Sequence, residues 1–174
     1  MRILINGIVT PSHNLKNNME NKYSNEQPQK VERIRNGYSV NYNIRETTEE
    51  ELLELWKQNE FNEGEPDELF ILEHKYTYNS VGVPMGRYSY EGVVSAIIRD
   101  KYQTDEMEAI TNNMAAINAM FMHTLVTEGI VSAIQYLRDS YDKDNAEIFK
   151  QMQEWRAMAK KEAKEVFKND FRNT

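Results

Sequence analysis

The second half of the chain carries apolar residues at the spacing expected for helices. Between residues 104 and 126 they follow one another in steps of three or four, which places them on one side of a helix. The stretches 128–141 and 146–168 carry shorter stripes, and charged residues crowd the other faces of the last one. The apolar stripe of residues 104–126 is called the seam below. Met120 and Met122 lie beside it, and methionine suits an adaptable oligomer contact. The predicted packing or oligomer residues are Met107, Ile110, Met114, Ile117, Phe121, Ile134, Leu137, Met152 and Trp155.

One heptapeptide occurs twice in this helical half. Residues 91–97 read EGVVSAI and residues 128–134 read EGIVSAI, so six of the seven positions are identical. Helical repeats bury their apolar faces on neighbouring repeats, so the pattern favours a packing and assembly module. It predicts two helical hairpins, 89–126 and 128–168, related by duplication. The alternative is that helices 104–126 and 128–141 run together as one long helix bent near Gly129.

Alternating residues in the first half predict a small β element. Residues 38–44 alternate between apolar and polar side chains, which is typical of a half-buried strand. Thr47 and Glu50 predict the capping box of a helix that ends before Gly64 and Pro66. The alternation in residues 69–78 predicts a second strand, and the glycines and proline of residues 79–88 predict a loop.

The N-terminal segment is polar. Ile3, Ile5 and Val9 flank the turn dipeptide Asn6-Gly7, which predicts a short strand or hairpin within residues 3–9. Residues 11–37 are rich in asparagine and interrupted by prolines, which predicts either an extended arm or a disordered tail. The predicted fold is mainly α, with four C-terminal helices in hairpins, a small N-terminal β element and an extended arm. The predicted domains are the arm, 1–37, a strand-helix-strand region, 38–88, and a helical oligomerisation domain, 89–174.

Composition narrows the possible partners and compartments. The chain has 174 residues and no cysteine, which excludes disulfides and thiolate metal sites. Its apolar runs are all far shorter than the roughly 20 residues of a membrane helix, and the N-terminus lacks a signal-peptide pattern. The net charge is −7, although residues 1–45 carry seven basic and three acidic side chains. An acidic chain is a poor general nucleic-acid binder, so no nucleic-acid or membrane partner is expected.

No catalytic constellation occurs in the sequence. The three histidines, His13, His74 and His123, are far apart, and none has a second ligand at metal spacing. There is no phosphate-binding glycine loop and no arrangement of serine, histidine and aspartate that suggests a nucleophile. We therefore expect a protein that is not an enzyme and has no cofactor and no metal.

Two blocks of the sequence resemble a group of phage proteins. The block Gly86 to Asn113 carries a helix ending in IRDKY, a turn, and a helix with an acidic start and an asparagine pair. The block Phe149 to Phe167 carries the pattern WRAMAK. Together they resemble small uncharacterised proteins from virion-structural gene clusters of tailed phages and prophages of gut bacteria, among them crAss-like and related Bacteroidales phages. The resemblance covers about a quarter of the chain.

The resemblance implies a structural or assembly role in a virion. The leading hypothesis is a capsid-associated protein of head-fibre or connector type, made in the bacterial host cytoplasm and carried in the virion. It would form a homo-oligomer, a dimer or trimer, through its C-terminal helices, and dock through its N-terminal arm on a capsid, fibre or connector protein. The alternative is a small phage regulatory protein that binds a host protein or nucleic acid. The basic N-terminal segment is the feature that suggests this alternative.

Overall fold

A computed structural model describes residues 19–58, 64–140 and 143–170 of the chain. Its strands are β1 (Lys22–Ser24), β2 (Val31–Ile34), β3 (Gly37–Glu46) and β4 (Tyr76–Pro84). Its helices are α1 (Glu49–Lys57), α2 (Glu68–Glu73), α3 (Tyr90–Lys101), α4 (Thr104–Thr127), α5 (Ile130–Ser140) and α6 (Lys143–Asp170), with a short 3-10 turn at Met85–Arg87. The predicted mainly-α architecture with an N-terminal β element is confirmed; the strand or hairpin predicted at residues 3–9 lies outside the described residues.

The described residues fall into two compact units. The sheet unit comprises residues 19–58, 64–100 and 159–170, and the helical unit comprises residues 101–140 and 143–158. Helix α6 contributes to both, since its first half belongs to the helical unit and its last turns to the sheet unit.

The sheet unit is built on four antiparallel strands in the order β1-β4-β3-β2. Strands β2 and β3 form a hairpin with a two-residue loop, since Ile34 pairs with Gly37. Side chains at alternate positions of β4 are buried, as the pleat of a strand requires. The residues buried in this unit also include Val93 and Ile97 of α3 and the alanines of the last turns of α6. The core of this unit therefore draws on both ends of its sequence.

Both edge strands come from the segment for which the sequence predicts an arm or a tail. Strand β1 pairs with the first residues of β4, and β2 pairs with β3. Neither strand shows clear alternation, because three of the four side chains of β2 are exposed, as is Lys22 of β1. Edge strands bury few side chains on either face, so the sequence of this segment is mostly polar. The description of residues 19–37 as an arm or tail was therefore wrong.

Three further local predictions were wrong. The first helix is capped by Thr48 and Glu51 rather than one residue earlier. Residues 68–73 form α2 rather than a strand, because Asp67 caps them by accepting a hydrogen bond from the Phe70 N–H at 2.7 Å. Strand β4 extends to residue 84, through the segment predicted as a loop. Its glycine and proline are tolerated there because this part of β4 lies at an edge of the sheet.

The helical unit has a core of its own. Tyr102, Ile110 and Met152 are buried together, and partly buried apolar side chains of α4 and α6 pack against them. Helices α4 and α5 contact each other and are separated at Glu128-Gly129. Gly129 has a φ of +88°, a left-handed conformation that ends α4. The alternative of one continuous helix through residues 104–141 was therefore wrong.

Candidate interaction surface

The strongly perturbed ionisable groups of the described residues are explained by contacts within the fold. The Tyr42 hydroxyl donates a hydrogen bond to Asp100 Oδ2 at 2.5 Å. Burial, and then the Asp100 carboxylate, raise the pKa of Tyr42 well above its ordinary value. The pair joins β3 to α3.

Lys30 and Arg45 also form ion pairs that connect elements of the fold. Lys30 Nζ binds Glu162 and lies 3.1 Å from Glu165, so it ties the start of β2 to the end of α6. Burial lowers the pKa of Lys30, but the two carboxylates outweigh it and the net shift is upward. Arg45 binds both carboxylate oxygens of Glu51, which holds the pKa of Glu51 at about 2.

The histidines do not form a site in the part of the chain that the structure describes. The His74 ring stacks on Phe70, and its Nδ1 lies 2.9 Å from the Phe70 carbonyl oxygen. His123 is exposed on α4, and His13 lies outside the described residues. No group of three potential metal-ligating side chains is present among the described residues.

The predicted packing residues divide into three sets. Ile110 and Met152 are buried in the core of the helical unit, with Met107 and Trp155 packed against them. The Lys101 ammonium lies 4.6 Å from the centre of the Trp155 ring, which covers one side of that core. The half-buried set is Met114, Ile117, Phe121 and Leu137. Ile134 is exposed.

An exposed apolar surface surrounds the turn between α4 and α5. It consists of five large apolar side chains that are between 51% and 80% exposed. Two of them are four residues apart on the last turns of α4, and the other three share one face of the first turns of α5. This surface, called the turn patch below, comprises Met122, Val126, Ile130, Val131 and Ile134.

Sequence reasoning identified only part of the turn patch. It placed Ile134 among the packing residues and Met122 beside the seam, but it missed Val126 and Val131. The apolar stripe predicted for residues 128–141 is buried only in part, since Ile130 and Ile134 are exposed. Gly129, with its left-handed backbone, separates this stripe from α4. Ala133, rather than its larger neighbours, is the fully buried residue of α5. Exposed apolar surfaces of this kind commonly mark interaction sites.

Comparison with family models, with curated proteins and with solved structures finds no match for this chain. Among the described residues, no helix combines the length and the apolar character needed to cross a bilayer.

Proposed function

We propose that this protein is a non-enzymatic assembly protein that associates with copies of itself through the turn patch. The observation that carries the proposal is the exposure of five large apolar side chains on adjacent helical turns. A large apolar side chain gains about 1.5–3 kcal/mol when it passes from full exposure to full burial, and burial of the five partly exposed side chains opposes the free-energy cost of association.

A second copy of the chain is the partner that best fits this surface. None of the five side chains is charged, so contact between the apolar side chains of two patches does not itself bury a charge. A surface that is complementary to itself gives a closed, symmetric dimer, the commonest form of homo-oligomer. The two related heptapeptides further support a duplicated pair of helical hairpins as the origin of the assembling half.

We propose that the assembly belongs to the particle of a tailed phage, in a capsid-associated position of head-fibre or connector type. The support is the resemblance of residues 86–113 and 149–167 to proteins of virion-structural gene clusters. In that role the oligomer docks on a capsid, fibre or connector protein.

Light scattering coupled to size-exclusion chromatography tests the self-association. The full chain is expected at two or three times its 20.5 kDa mass, and Ile130→Glu is expected to return it to a monomer. Leu69→Glu in α2 is the matched control, because both side chains are 64% exposed and only Ile130 belongs to the patch. A monomeric wild-type protein, or equal effects of the two variants, would contradict the proposal.

Mass spectrometry of purified virions tests the location. Detection of the chain in a fixed ratio to the capsid protein supports a structural role. Its absence from particles, together with its presence in infected cells, would favour the small regulatory protein instead.

A further inference from the structure

Among the residues that the structure describes, only β1 covers the outer edge of strand β4, and it covers only part of it. Strand β1 pairs with Tyr76, Thr77 and Tyr78, and the Asn79 side chain donates to Asn21 Oδ1 at 2.9 Å just beyond it. From residue 80 to residue 84, no backbone hydrogen bond to this edge occurs within the described ranges 19–58, 64–140 and 143–170. These five residues span about 13 Å of strand.

The direction of the peptide groups along this edge follows from the neighbouring strand. Asn41 of β3 donates its backbone N–H, at 2.9 Å, to the carbonyl immediately before β2. Peptide groups alternate along a strand, so those of Val40 point to β4, where its partner is Val81. Ser80 and Gly82, on either side of Val81, therefore direct their N–H and C=O groups away from β3. This edge therefore presents donors and acceptors that no described part of the chain pairs with, at the spacing that a further strand requires.

A cleft of about 670 Å³ lies between this edge and helix α3. The wall on the helix side is a stripe of small residues, Gly92, Ser95 and Ala96, which leaves room for a chain beside the strand. Its volume falls within the range of roughly 300–1,000 Å³ that is usual for ligand clefts. The strand length matches four or five residues of an extended peptide.

The charges of the cleft select among such peptides. Arg87 lines it beside the start of α3 and Arg99 lines it near the end of α3. Both guanidinium groups are without an ion pair to any carboxylate in the described part of the chain. Asp100 also lines the cleft, but its carboxylate already accepts the Tyr42 hydroxyl. Two available cations against one engaged anion favour a partner with acidic side chains.

We propose that this cleft binds an extended acidic peptide segment of another protein, which pairs with residues 80–84 of β4 as an added strand. Main-chain hydrogen bonds to Ser80 and Gly82 hold the peptide, and Arg87 and Arg99 select acidic side chains. The inference stands apart from the proposed self-association, because every residue that carries it belongs to the sheet unit and none to the turn patch.

Amide hydrogen exchange followed by NMR on the full chain provides the first test. The N–H groups of Ser80 and Gly82 are expected to exchange quickly in the free protein, and the N–H of Val81, bonded to β3, is expected to exchange slowly. Slow exchange at Ser80 and Gly82 in the free protein would show that the chain fills its own cleft. Protection that grows with protein concentration would assign the cleft to a second copy. Either result would overturn the proposal.

Selection from a displayed library of random heptapeptides on the immobilised full chain provides the second test. Enriched peptides are expected to carry more acidic than basic residues, and to slow the exchange of Ser80 and Gly82 when bound. The affinity of the synthesised, fluorescein-labelled peptides is measured by anisotropy. A selection that yields no binder, or yields basic peptides, would overturn the proposal.

Two variant pairs locate the binding. Gly82→Pro removes the outward N–H while leaving the bonds to β3, and Gly82→Ala keeps that N–H with open space around the added methyl group. The double variant Arg87→Glu/Arg99→Glu reverses the charge of the cleft, and Arg33→Glu/Arg35→Glu makes the same change in the hairpin of β2 and β3, outside it. Gly82→Pro and the double variant are each expected to weaken binding at least tenfold, and the two controls less than twofold. Should Gly82→Pro fail to fold, the arginine pair and the exchange data decide. Equal binding by all four variants would refute the assignment.

Discussion

The two copies of the heptapeptide have nearly the same sequence and opposite environments. In EGVVSAI, Val93 and Ile97 are completely buried in the sheet unit. In EGIVSAI, the corresponding Ile130 and Ile134 are exposed, and the small Ala133 is buried instead. A helix-forming sequence fixes which residues share a face, but the surface placed against the helix decides which face is buried.

The glycines of the two copies differ for the same reason. Gly92 lies within α3, and a Cβ at this position would come 1.8 Å from the Arg87 carbonyl oxygen. Gly129 lies in the turn, has a φ of +88°, and has open space around it. One glycine is therefore required by a close backbone approach and the other by its own conformation.

The largest expected difference concerns the two isoleucines at the end of the repeat. Ile97→Ala should lower the free energy of unfolding by about 2–5 kcal/mol, because it leaves a cavity in the core. Ile134→Ala should lower it by less than about 1 kcal/mol at concentrations where the protein is monomeric, because Ile134 is already 51% exposed. Urea denaturation measures both changes. Equal losses would show that the two copies are packed alike.

The next difference concerns the two glycines. Gly92→Ala should cost about 3 kcal/mol, because the methyl group meets backbone that cannot move aside. Gly129→Ala should cost about 1–2 kcal/mol through its left-handed backbone. Asparagine should recover part of the loss at position 129 only, since it tolerates that conformation. Thermal and urea unfolding of the alanine and asparagine variants at both positions separates the steric cause from the conformational one. Recovery by asparagine at position 92 would contradict the steric cause there.

A smaller difference concerns the aspartates that follow the two copies. Asp100 accepts a hydrogen bond from the buried Tyr42, whereas Asp139 accepts from the exposed Gln135 on its own helix. Tyr42→Phe should cost about 1.5–3 kcal/mol, because it removes the hydrogen bond to a charged group. Gln135→Met should change the free energy of unfolding by less than about 0.5 kcal/mol. A neutral Tyr42→Phe variant would show that this bond does not stabilise the sheet unit.

The hydrogen-bonded pair of Tyr42 and Asp100 should also make the stability of the protein depend on pH. The pKa of Tyr42 is higher in the folded chain than its ordinary value of 10.0, chiefly through burial and then through Asp100. The folded state therefore holds this proton more tightly, and the associated stability is complete below about pH 10 and decreases above it. Wild type should lose more stability than Tyr42→Phe between pH 9 and roughly pH 11, the range that spans the ordinary tyrosine value. Tyr136→Phe, with Tyr136 half-buried in α5, serves as the control, and parallel losses in wild type and Tyr42→Phe would contradict the assignment.

Helical segments with strong periodicity were predictable, and polar strands were not. The seam from Met107 to Phe121 identified α4 because its signal is repeated over several turns. Strands β1 and β2 gave little signal, since they are held by pairing with β4 and β3 rather than by an apolar face. The alternation of residues 69–78 predicted one strand, which is correct only for residues 76–78, in β4. The four apolar residues 69–72 fit a helical turn as well as a strand, and they belong to the helix that Asp67 caps.

The candidate surfaces were less predictable still. Ile130, Val131 and Ile134 look like core residues in the sequence, and only their exposure in the folded chain identifies them as part of the turn patch. The cleft beside β4 is formed by residues 80–84 together with residues of α3 between positions 92 and 99. Neither stretch contains a sequence motif that predicts a binding site.

By itself, the sequence determined the element types of the helical half, the absence of cysteine chemistry and the acidic net charge. These properties depend on composition or on neighbours a few residues apart. The tertiary structure alone decided which copy of the heptapeptide is buried, where the edge of β4 stays open, and which apolar residues remain for a partner. Burial and strand pairing depend on residues distant in the chain. The local sequence therefore determines which residues share a face of a helix or strand, but not which part of the chain packs against that face.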